Sequence, residues 1–142
     1  MAADVLAVKE KVRRYLTELF NKVEVDNDGD FTFRHNNTRV WASVKPFRDD
    51  STVVKVFAMT NLEVPASPEL FKFVATEGTY VFGHLSCRET DKGIAVSFGH
   101  SLLGEYLDPE ELKVALFMVA GIADTLDDQI KARFGGRFFH ED

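Results

Sequence analysis

The chain has 142 residues, with 17 lysines and arginines against 23 aspartates and glutamates, for a net charge of −6 at pH 7. An acidic chain whose basic residues are scattered excludes a nucleic-acid partner held by a basic patch. The single cysteine, Cys87, excludes an internal disulfide, and the apolar run over 114–123 is too short to span a membrane. A single domain over 1–142 is expected, long enough to bury about two thirds of the surface its unfolded form exposes. With no signal-like segment at the start, the expected location is the cytoplasm.

Val5, Val8, Val12, Leu16, Leu19 and Phe20 recur at helical spacing with charged residues between them, which predicts a helix over 4–22. The period then changes to two. Phe31 and Phe33 alternate with polar residues, Val40, Ala42 and Val44 alternate with Arg39, Trp41 and Ser43, and 53–62 is rich in β-branched and aromatic residues. These are three strands, and the short turns at Asn36-Asn37 and Arg48-Asp49-Asp50 make them an antiparallel meander.

Ser67 as N-cap, Pro68 at the first helical position and Glu69 in the first turn predict a short helix that stops near Gly78. Strands over 80–88 and 94–101 then flank a turn at Asp91-Lys92-Gly93. A two-residue turn pairs Leu85 with Phe98 and Cys87 with Val96, which makes one face apolar and is preferred; a three-residue loop bulged at Gly93 pairs His84 with His100.

Asp108 as N-cap, Pro109 after it and Glu111 three residues on predict a final helix, which Gly135 and Gly136 end near Arg133. Leu112, Leu116, Val119, Ala123, Leu126 and Ile130 form its core face. Val114, Phe117, Met118 and Ile122 add apolar area elsewhere around the same helix. Either the helix is sunk in its own core, or these four residues form a dimer interface or meet another partner. The element order is α-β-β-β-α-β-β-α, an α+β fold.

No catalytic, cofactor-binding or metal-binding set emerges. Asp26, Asp28 and Asp30 match the first positions of a calcium loop, but the turn glycine falls at Phe31 and the closing glutamate at Asn37. Gly99-His100-Ser101-Leu102-Leu103-Gly104 resembles a nucleophile elbow, but Leu103 stands where a small residue is needed. His84 with His100 lacks a third metal ligand, and Asp124 with Asp128 reads as a solvated helix pair. Thirteen phenylalanines exceed what a modest core requires, and Trp41, Phe47, Phe57, Phe71 and Phe73 are the candidates for contact with a partner.

The stretch SFGHSLLGEYLDPEELKVALFMVAGIADTLDDQIKARFGG leads a strand through Leu-Leu-Gly into a helix carrying Ala123-Asp124 and Asp127-Asp128. It resembles the actinobacterial YbjN-like proteins, which share a structural superfamily with the type III secretion and Tir-type chaperones. The resemblance implies a five-stranded antiparallel sheet with packed helices, a homodimer, and binding of a protein or peptide partner without catalysis or cofactor. It fixes no site residue.

Overall fold

The computed structural model describes residues 4–20 and 22–139. The first helix, α1 (Val5–Leu19), is capped by Asp4, whose carboxylate accepts the Ala7 N–H at 2.9 Å. Phe20 is already in extended backbone, so the helix ends at Leu19 and not near residue 22. Four strands follow: β1 (Glu24–Val25), β2 (Phe31–His35), β3 (Thr38–Phe47) and β4 (Ser51–Val64). After them come α2 (Pro68–Glu77), β5 (Thr79–Tyr80), β6 (Gly83–Thr90), β7 (Gly93–Leu103), α3 (Pro109–Phe134) and β8 (Arg137–Phe138).

Among the described residues the sheet therefore has eight strands where five were expected, the additional ones being the two-residue strands β1, β5 and β8. Such pairs are too short to show an alternation in sequence. The strand expected over 80–88 is split, because the chain turns between Tyr80 and Gly83. Gly83 makes this possible at φ 121°: a Cβ there would lie 2.6 Å from the Phe98 ring.

All neighbouring pairs are antiparallel, in the order β1-β2-β3-β4-β7-β6-β5, with β8 pairing β4 off that path. The meander and the second hairpin thus meet through β4 and β7 at the centre. Thr90 faces Gly93 across a two-residue turn, Leu85 faces Phe98 and Cys87 faces Val96, which is the preferred register.

One face of the sheet carries the core. Val40, Ala42, Val44, Val54, Val56, Ala58, Val96 and Phe98 are buried with Val8, Val12 and Leu16 of α1, Leu70 and Phe73 of α2, and the predicted face of α3. The central helix α3 packs across β4, with α1 on β3 and α2 on β6. Strand alternation sends the intervening residues of β3 and β4 to the opposite face, which none of these helices occupies.

A small motif joins the two layers. The N–H of Gly104 donates to the Thr52 carbonyl at 3.0 Å, and the Lys11 ammonium donates to the Gly104 carbonyl at 2.8 Å. This corner explains Leu102-Leu103-Gly104: the strand must end where β4 begins and α1 passes.

Candidate functional site

Trp41 and Phe57 face each other across β3 and β4, so their rings lie side by side on the sheet face opposite the core. The rings stack at 5.4 Å between centroids and 9° between planes. Phe139 meets Trp41 edge-on at 5.4 Å, and the Lys55 ammonium lies 5.6 Å from the Phe57 ring centroid. Both stacked residues are half-buried, which leaves an apolar ridge partly open to water.

Beside the ridge the surface drops. Gly99 lies opposite Phe57 on β7 and opposite His84 on β6, and has no side chain to fill the space between them. Ser86 and Ser97 are cross-strand neighbours with their hydroxyl oxygens 3.1 Å apart. Lys55, Phe57, His84, Ser86, Ser97 and Gly99 border a hollow of about 140 Å³. Its outer border is the edge of β6, where β5 pairs only with Gly83 and His84; among the described residues no strand continues that ladder over 86–90.

The other expected contact residues are dispersed. Phe47 is exposed at the end of β3 with the Arg48 guanidinium 5.1 Å from its ring centroid, and Phe71 is exposed on α2. Phe73 is 3% exposed, packed at 5.4 Å against Phe134, so it is not available as surface. Phe117 lies against Phe20 and His35, at 5.8 and 5.3 Å, while Met118 is exposed and Ile122 packs at the margin of the core. Val114 lines a separate cleft with Phe82 and Leu102. The four residues therefore do not form one continuous buried face.

His84 faces Gly99 and not His100, so the two imidazoles are not a cross-strand pair. His100 lies edge-on to Phe82 at 5.5 Å, and burial, followed by repulsion from His84, holds its pKa below the ordinary histidine value. Burial likewise pushes the Cys87 thiol up, away from a reactive thiolate.

Asp26, Asp28 and Asp30 do gather, with candidate ligand atoms within 4.8 Å of one another. The Asp26 carboxylate, however, accepts the N–H groups of Asp28 and Asp30 at 3.0 and 2.9 Å, and Lys45 brings its ammonium within 3.8 Å of Asp30. The loop closes on its own backbone and a lysine.

The acidic pair on α3 is also divided. Asp124 accepts the Thr38 hydroxyl at 3.1 Å, whereas the buried member of the cluster is Asp127, 4% exposed. Burial first, and then Asp128 and Asp124, push the Asp127 carboxyl up to about 7. Asn61, fully buried, donates to the Asp127 backbone carbonyl at 3.1 Å. The sequence groups Asp127 with Asp124 and Asp128 as a solvated face, yet Asp127 stands four after Ala123 and three before Ile130, on the helix face that reads as core.

The fold is thus an α+β domain, a sheet covered by helices on one side with an aromatic ridge and a low polar floor on the other. The chain belongs to the TY-Chap1 family, described as T3SS (YopN, CesT) and YbjN peptide-binding chaperone 1, whose family model matches residues 7–142. No curated protein matches the chain in sequence.

Proposed function

We propose that the protein is a non-enzymatic, chaperone-like module that holds an extended polypeptide segment against the uncovered sheet face, and that it works as a homodimer. The observation that carries this reading is the Trp41–Phe57 stack on the face opposite the core, beside the floor at Gly99. An apolar side chain laid on the ridge removes apolar area from water, worth about 1.5–3 kcal/mol when burial is complete. The floor lets a backbone come close, the serines offer hydrogen bonds, and the open ladder of β6 accepts an added strand. Family membership supports the same reading. The dimer is supported by the surface of α3, where Met118 is 39% exposed and Gly121 has open space around it.

Trp41 is the only tryptophan, so its emission reports on the proposed site directly. The test is a titration with an array of short peptides of varied apolar content, read by Trp41 fluorescence. Apolar peptides are expected to shift the emission saturably, and Phe57→Ser to weaken them. If no peptide moves Trp41 while the protein is a stable dimer, the reading fails in favour of a dimer without cargo.

A further inference from the structure

At the end of the molecule away from β8, the turn between β5 and β6 faces the start of α3 across a cleft of about 290 Å³. Phe82, Leu102 and Val114 form its apolar part, and Asp108, Glu110 and Glu111 its rim. The volume is at the lower edge of the roughly 300–1,000 Å³ of small-molecule pockets, a size suited to one or two side chains. In sequence, Val81, 87% exposed, stands just before Phe82, and Tyr106, 81% exposed, two residues before Asp108.

Two features decide the occupant. One Asp108 oxygen caps the helix by accepting the Glu111 N–H at 2.8 Å, and acidic residues in a first turn suit the positive end of the macrodipole. That accounts for the carboxylates but not for the open apolar hollow between them. Moreover, among the described residues none of the three carboxylates is ion-paired with a lysine, arginine or histidine. An apolar hollow bordered on its α3 side by three carboxylates that no described cationic side chain pairs is complementary to an apolar group with cationic neighbours.

We propose that this cleft binds a polypeptide segment that presents a bulky apolar side chain flanked by lysine or arginine. The assignment rests on the peptide-binding reading and adds to it a second contact point and the charge of the bound segment. A second copy of the chain is a poorer match, because it brings a net charge of −6 of its own.

The test uses the full chain and two fluorescein-labelled peptides read by anisotropy: lysine-arginine-leucine-phenylalanine-lysine-arginine, and the same peptide with glutamate at all four charged positions. The basic peptide is expected to bind at least tenfold more tightly, and to weaken on raising salt from 50 to 300 mM. The double variant Glu110→Gln, Glu111→Gln is expected to lose about three- to tenfold, as two or three exposed charge pairs imply. Val114→Ser, with circular dichroism confirming the fold, tests the apolar part and is expected to weaken the basic peptide as well.

Equal binding of both peptides, or undiminished binding by the variants, overturns the assignment. If Trp41 still responds to apolar peptides in that case, the sheet face survives as the binding site; if nothing moves Trp41, that reading falls separately. A change in molecular mass on substituting Glu110 and Glu111 identifies the occupant as a second copy and also overturns the proposal.

Discussion

The Glu105 carboxylate accepts two hydrogen bonds from Thr52, one from the backbone N–H at 2.8 Å and one from the hydroxyl at 2.5 Å. These bonds hold its pKa below the ordinary carboxylate value, the Thr52 hydroxyl first. A carboxyl bound more tightly as the anion stabilises the fold above its unfolded pKa, and loses that contribution as pH falls through the folded value. Glu105→Gln is therefore expected to lower the melting temperature at pH 7 and to make no difference near pH 2. An equal loss at both pH values removes the ionic bond from the account.

Gly104 lies in the same corner, and there a Cβ would meet the Thr52 hydroxyl oxygen at 2.0 Å and a Val8 methyl at 2.9 Å. Gly104→Ala is expected to cost about 1–3 kcal/mol by overpacking. Urea denaturation measures this, and Thr52→Ala in the same chain supplies the control. Since the hydroxyl is the nearer obstacle, the cost should shrink in that background; a purely additive pair would place the strain elsewhere.

Asp127 behaves oppositely to Glu105. Its pKa is pushed up to about 7, chiefly by burial, so the folded state keeps a proton that the unfolded chain releases near pH 3.9. That contribution is complete at low pH and is lost as pH rises through about 7. Between pH 5 and pH 8 the protein is expected to lose on the order of 1–3 kcal/mol from this group. Asp127→Asn preserves the shape and removes the titration, so urea midpoints at the two pH values should lie closer together than in the parent. Parallel pH profiles would count against the assignment.

Much of this architecture was legible because local and tertiary signals agreed. Asp108, Pro109 and Gly135 bound α3 as their positions predict, and the preferred hairpin register follows from placing Leu85 and Cys87 on one apolar face. The two-residue strands were not legible, because β1, β5 and β8 are defined by their partners and carry no period. For the candidate site, Trp41 and Phe57 could be named as aromatics but not as a stacked pair, since that requires the register of β3 against β4. Phe73 shows the reverse limit. Its composition suggested surface, while packing against Phe134 places it in the core.

Gly121 is an exposed glycine inside α3, with open space where a side chain would stand. It lies mid-helix on an exposed position, where glycine costs about 1 kcal/mol relative to alanine, and a Cβ there would meet nothing within 4 Å. In an isolated chain, then, Gly121→Ala should be stabilising by about 0.5–1 kcal/mol, which is readable as a higher urea midpoint. The proposed homodimer supplies a reason for the missing side chain, because a second backbone can approach Gly121 beside Met118. Under that arrangement Gly121→Arg is expected to convert dimer to monomer in sedimentation while leaving the circular dichroism spectrum unchanged. Met118→Asp should do the same, and Gly121→Ala should show its full stabilisation only in that monomeric background. If Gly121→Arg leaves the mass as it was, α3 does not make the dimer, and the pairing surface must be sought at a sheet edge.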